Sequence, residues 1–306
     1  MRILIFGTGG IGGYFGARLQ ASGETVVFAA RGAFAEALRD NGLQVHSQQG
    51  DLHLSEMELY DPEQTKPVDV VLICTKMGAL AEAIEAVRPV LHEDTAVIPL
   101  QNGVESVDLL AAALPADNVL GGVAYISAHI EEPGVIRHNT EHARIVFGEL
   151  SGEATGRALD LRNRLERAGL GVVLSDDIRR ALWEKFVTLA PLAGACSFYR
   201  KDIGGVRAEA EGRRLLQDLA GECIAVGRAQ SIALPDDVEE KTVARFDELG
   251  GAVKPSMLVD LERGKPLELE WLTGATVRLG AAAGVPTPAS SRVYEALKPY
   301  AEGAPA

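Results

Sequence analysis

The chain has 306 residues, 47% hydrophobic and 24% charged, enough for two domains of ordinary size with a real core, and it is not a disordered chain. Its formal net charge of -13 excludes a generic nucleic-acid binder and a protein held on anionic lipid, since both need a basic surface. Three widely spaced cysteines (Cys74, Cys196, Cys223) with no CxxC, and no apolar run near the ~20 residues of a membrane span, predict a soluble, cytoplasmic protein without structural zinc.

The first half alternates. Residues 3–6 read as a short buried strand, 11–21 as a helix ended by Gly23, 25–29 as a strand, and 33–39 as a helix closed by Asn41-Gly42. Residues 68–74 are strongly strand-like and 80–87 helical; 96–100 form a strand and 104–114 a helix. Short strands follow at 119–128, 135–138 and 143–147, then a helix over 153–168 and a strand at 172–174. Strands that are apolar throughout, separated by helices, predict a parallel sheet covered on both faces. After Asp176 strand signals vanish. Helical patterns run over 177–195, 206–232, 236–249, 256–263, 268–283 and 289–299. The change of texture places a domain boundary near 175, and residues 301–306 read as a frayed tail.

The first turn carries the first chemistry. Gly7-Thr8-Gly9-Gly10-Ile11-Gly12 fits GxGxxG, with a strand before it and a helix after it. In that context the first glycine permits a tight turn, the second lets backbone approach a pyrophosphate, and the third lets helix pack on strand. The helix N-terminus favours the negative charge. The second strand ends Phe28-Ala29-Ala30-Arg31, with an arginine where an NAD site would place an acid. Arginine pairs with a 2′-phosphate, which points to NADP.

Four further stretches offer reactive side chains. Lys76 and Asn102 fall just past predicted strands, where open α/β sheets bind ligands; a surface lysine and an Asn-Gly turn are the bland alternatives. Ile178, Leu182, Lys185 and Leu189 recur at helical spacing, so Lys185 lies on an apolar stripe. It either snorkels to water, the commoner arrangement, or points into a cleft where burial would lower its pKa toward general-acid values. In "KPSMLVDLERGKPLELEWLTG", Ser256 starts a helix, and Glu268 and Glu270 are two apart and cannot share a helix face. One turns inward, or both simply favour a helix dipole. The six histidines lack ligand spacing, so no metal is expected.

These stretches together resemble the ketopantoate reductase (2-dehydropantoate 2-reductase) family over nearly the whole chain. The specific part is "LWEKF" with "SMLVDLERGKPLELEWLTG"; the glycine loop, Arg31, "TK" and "NG" agree with it. The resemblance implies a Rossmann-type α/β dinucleotide-binding domain over 1–175, followed by an all-α substrate and catalytic domain over 176–306. It implies reduction of ketopantoate to pantoate with NADPH, on the route to pantothenate and coenzyme A. By the same resemblance Gly7, Thr8, Gly9, Gly10, Ile11, Gly12, Arg31, Lys76, Asn102 and the backbone at Ala128 hold NADP(H). Lys185 and Glu268 are the catalytic pair, and Ser256 and Asn102 bind substrate. The partner is a small 2-keto acid, with no nucleic acid or membrane; a homodimer is compatible with it.

The chain departs from the family in one place. Where the well-known form has asparagines four and eight residues after the catalytic lysine, this chain has Leu189 and Ala193. Apolar side chains cannot replace amide hydrogen bonds to substrate. Either other groups hold ketopantoate, with Arg200, Lys201 and Arg207 as candidates for its carboxylate, or the substrate is a different 2-keto acid. A non-catalytic NADP(H)-binding module is the third reading.

Overall fold

The computed structural model describes residues 1–304. The chain forms two compact units, one of Met1–Gln101 with Ser106–Ile178, the other of Asn102–Glu105 with the chain from Arg179 onward.

The first unit runs β1 (Arg2–Phe6), α1 (Gly10–Ala21), β2 (Thr25–Ala29), α2 (Gly32–Asn41), β3 (Leu43–His46), β4 (Leu52–Leu54), β5 (Glu58–Leu59), β6 (Val70–Ile73), α3 (Leu80–Val87), β7 (Ala96–Pro99) and α4 (Ser106–Ala113). It continues with β8 (Leu120–Tyr125), β9 (Ala128–Glu132), β10 (Val135–His138), β11 (Arg144–Glu149), α5 (Gly156–Arg167) and β12 (Gly171–Leu174). Five strands form one wholly parallel sheet in the order β5-β2-β1-β6-β7. Its middle strands are the apolar runs of the sequence, and Ile3, Leu4, Ile5, Val71 and Ile73 are wholly buried, as covering on both faces requires.

The remaining strands form two smaller sheets, β4-β3-β10-β9 and β12-β11-β8. Strands β3, β4, β5 and β9 are additions to the expected elements, the strand expected over 119–128 ending at Tyr125. They are short, and their alternating or polar sequences carry little signal. Helix α1 lies between the parallel sheet and the β4-β3-β10-β9 sheet. A Cβ on Gly16 would meet Phe28 at 2.4 Å and Ile5 at 2.9 Å on one side, and one on Gly13 would meet Ile136 at 2.9 Å on the other. A helix buried on both sides has no polar face, and its small residues let both sheets close on it.

The second unit is helical beyond α6 (Ile178–Tyr199): α7 (Ile203–Arg207), α8 (Ala210–Ala229), α9 (Val238–Glu248), α10 (Ser256–Glu262), α11 (Thr273–Ala283) and α12 (Pro288–Leu297). Two predicted helices are each split. The 206–232 pattern breaks between α7 and α8, and 268–283 opens with a separate 3-10 turn, Leu269–Trp271. Hydrophobic spacing survives such breaks, so the pattern does not report them. Gly194 of α6 faces Leu219, Thr273 and Val293, from α8, α11 and α12, and Gly227 of α8 touches the Trp183 ring. The expected frayed tail is pinned in part, with Leu267 N–H donating to Ala301 O (2.8 Å) and Ala304 N–H to Gly264 O (3.2 Å). Its last two residues, 305 and 306, lie outside the described residues.

Candidate active site

The glycine loop leaves β1 where the strand order reverses, since chain connections run outward to β2 on one side and to β6 on the other. Crevices at such points, beyond the carboxyl ends of the strands, bind ligands. Gly7 adopts φ +101°, and a Cβ there would stand 2.7 Å from the Thr75 nitrogen. Thr8 ties the turn to β2, its N–H and Oγ1 both donating to Ala29 O at 3.0 and 2.9 Å. A Cβ on Gly10 would lie 2.4 Å from Ala128 O, and one on Gly12 would lie 2.3 Å from Gly7 O. A Cβ on Gly9 would meet nothing within 4 Å. Three of these glycines are therefore demanded by the chain's own packing. Gly9 alone borders open space at a helix N-terminus, and the loop fits a pyrophosphate there. Ile11 is half-buried in the first turn of α1.

Arg31 precedes α2 just past β2. Its side chain is 80% exposed and pairs with Glu82 at 3.0 Å. Lys76 is exposed just past β6, ahead of the 3-10 turn Met77–Ala79. The glycine loop, Arg31 and Lys76 thus follow three adjacent parallel strands at their carboxyl ends. Ala128 opens β9 and presents its carbonyl to Gly10.

The second cluster lies within the helical unit, to which Asn102 belongs. Half-buried Lys185 in α6 donates from Nζ to Asn102 Oδ1 at 2.9 Å, and Asn102 Nδ2 donates to Glu268 Oε2 at 3.3 Å. Burial pushes the Lys185 amine down to about 8, against the opposing pull of the Glu268 charge. Glu268 is only 7% exposed, whereas Glu270 is exposed and accepts from Tyr294 Oη at 2.6 Å. Of the two glutamates left open by their spacing, Glu268 faces inward. Gly103 (φ +102°) follows Asn102, and its Cβ position is 2.9 Å from Trp271 O, so only glycine fits the Asn-Gly turn.

Ser256 opens α10 as an exposed residue. The three downstream cations are engaged elsewhere. Arg207 donates to the carbonyls of Phe246, Asp247 (2.6 Å) and Leu249 (2.9 Å) at the end of α9, Lys201 pairs with Glu209, and Arg200 lies over the Tyr300 ring at 4.7 Å. Their engagement argues against any of them as the carboxylate ligand. Thr75, which backs Gly7, was visible in the sequence only as part of the "TK" pair; its contact with the loop joins two strand ends and has no local signal.

The same chain thus carries a glycine loop after its first strand and a lysine–asparagine–glutamate cluster in its helical unit. Residues 3–152 match the family described as Ketopantoate reductase PanE/ApbA, and 177–301 match Ketopantoate reductase PanE/ApbA C terminal. The chain belongs to the ketopantoate reductase family. A family 2-dehydropantoate 2-reductase from Mesorhizobium japonicum is 30% identical, over 97% of each chain. An uncharacterized oxidoreductase, YkpB of Bacillus subtilis, is 32% identical over 98% of this chain and 99% of its own. The crystal structure of 2-dehydropantoate 2-reductase from Geobacter metallireducens superposes with TM-score 0.90 at 34% identity, covering 97% of this chain and 99% of that one. As a ketopantoate reductase family member the protein is an oxidoreductase acting on CH–OH groups, with NAD(P)H as its cofactor.

Proposed function

We propose that the protein reduces the ketone of a 2-keto acid with NADPH, and that this acid is ketopantoate, giving pantoate for pantothenate and coenzyme A synthesis in the cytoplasm. The observation that carries the reading is the Lys185–Asn102–Glu268 cluster, a cationic donor desolvated beside a buried carboxylate. The proposed division of labour assigns residues 1–175 to the cofactor and 176–306 to substrate and catalysis. Gly7 to Gly12, Lys76 and the Ala128 backbone border the dinucleotide, with Arg31 on its 2′-phosphate. Three free thiols fit a reducing compartment.

A dinucleotide held by these residues would supply the hydride that reduces the ketone carbon. Negative charge then develops on the ketone oxygen, and Lys185 Nζ stabilises it and donates the proton that completes the alcohol. Glu268 keeps the amine cationic, and Asn102 holds it in place with one carbonyl acceptor while its amide N–H₂ anchors to Glu268. Asn102 and Ser256 bind substrate. The test is initial-rate oxidation of NADPH by ketopantoate. A kcat/KM of about 10⁴ M⁻¹s⁻¹ or more supports the reading, and full turnover by Lys185→Ala would overturn the mechanism.

A second reading has its own observation. Leu189, one turn beyond Lys185 on the same face, is half-buried, and Ala193 is 1% exposed. Leu189 offers apolar surface, and Ala193 no donor, where a hydroxyl-bearing substrate needs donors. This favours a 2-keto acid with an apolar substituent, which a substrate panel would reveal as a higher kcat/KM than ketopantoate's.

A further inference from the structure

The turn Asn102–Glu105 follows β7 in sequence yet belongs to the helical unit. It is held there at three points. Asn102 bonds Lys185 and Glu268, Gly103 packs on the Trp271 carbonyl, and Glu105 accepts from Arg278 Nη2 at 2.6 Å and Nε at 3.4 Å. Arg278 is itself oriented. It donates to Glu270 Oε1 and to the Glu270 carbonyl, each at 3.3 Å, and lies over the Trp271 ring at 5.6 Å. Tyr294 Oη completes this outer chain by donating to Glu270. Two parallel chains of polar contacts therefore join the same two segments: an inner one, Lys185–Asn102–Glu268, and an outer one, Glu105–Arg278–Glu270–Tyr294.

We propose that Arg278, through Glu105, is a positioning residue that keeps Asn102 between Lys185 and Glu268. It touches none of the reacting groups. Its forked guanidinium fixes Glu105 by two bonds, and three residues of chain then leave Asn102 little freedom. With Arg278 41% and Glu105 19% exposed, the pair is only partly desolvated and adds little to global stability, so what it sets is the place of the turn. The charged group facing Lys185 is Glu268; the neighbouring Glu184 is taken by Arg180 at 2.8 Å. Without Arg278 the Lys185 ammonium loses its carbonyl acceptor while the apolar stripe of α6 stays around it, and its proton is held less firmly.

This inference rests on the proposed role of Lys185, and its test separates the two. Arg278→Met, Arg278→Lys and Glu105→Gln are compared with the parent for kcat, KM, melting temperature and pH profile. The Lys185 amine is titrated by NMR in protein carrying ¹³C-labelled lysine, a readout that needs no turnover. Arg278→Met and Glu105→Gln are expected to lower kcat about 5- to 20-fold with KM changed less than twofold. The Lys185 titration should move to lower pH by roughly half a unit, and the melting temperature should barely change. Arg278→Lys should recover part of the loss, and the double variant should be no worse than the poorer single one. A Lys185 titration and kcat equal to the parent's in Arg278→Met would overturn the positioning role while leaving Lys185 in place. Absence of turnover in the parent would instead sink the reductase reading, and the NMR titration would still decide for or against Arg278.

Discussion

Lys185 holds its proton weakly because α6 buries it, and this has two measurable consequences. In its proposed role as general acid it must be protonated, so kcat is expected to be steady below neutral pH and to fall as pH rises through about 8, tenfold per unit beyond. A profile flat to pH 10 would remove Lys185 from the proton transfer. The second consequence is for stability. A lysine whose folded pKa lies below its unfolded value binds more protons when unfolded, so stability rises with pH between about 8 and the ordinary lysine value. Below that window the buried charge is a standing cost. Lys185→Met, similar in shape and uncharged, should therefore melt higher than the parent at pH 7 while losing 10²- to 10⁴-fold in kcat. Its spacing on an apolar stripe was visible in the sequence. Whether the amine reached water or stayed inside was not, because that depends on Asn102, 83 positions away.

At the scale of the element, α1 shows how a motif divides into parts with different physics. Gly12 is needed for folding, as its Cβ position overlaps Gly7 O at 2.3 Å. Gly9 has open space around its Cβ position and a φ of -95° that alanine adopts readily. Gly12→Ala should thus lower the melting temperature by several degrees or prevent folding. Gly9→Ala should leave the melting temperature within about 2 °C, yet weaken NADPH binding tenfold or more. Calorimetry and a fluorescence titration of the two variants check this, and equal losses of stability would show that the loop's glycines serve packing alone. The GxGxxG spacing was legible from residues 7–12. Gly10 and Gly13 gave no sign of their task, because the sheet they face is built from β3, β4, β9 and β10, far along the chain.

For the molecule as a whole, cofactor binding couples to folding. A ligand at 100 times its Kd adds about 2.7 kcal/mol to the folded state. In its proposed role on the 2′-phosphate, Arg31 gives up only an exposed pair with Glu82, so NADPH should raise the melting temperature more than NADH at equal concentration. Arg31→Ala should narrow the gap between the two cofactors, and an unchanged gap would shift the 2′-phosphate to another cation, with Lys76 the next to replace.

The sequence by itself determined the type of most elements, the glycine loop, the change from alternating strands to helices, and the family resemblance, because these rest on periodicity and on residue types at short spacing. Only the tertiary structure decided which glutamate turns inward, that the Asn102–Glu105 turn joins the helical unit, and that Arg207 caps α9 instead of standing free for a ligand. Each of these is a meeting of segments 39 or more residues apart. No local pattern encodes such a meeting, since it is set by how whole elements pack.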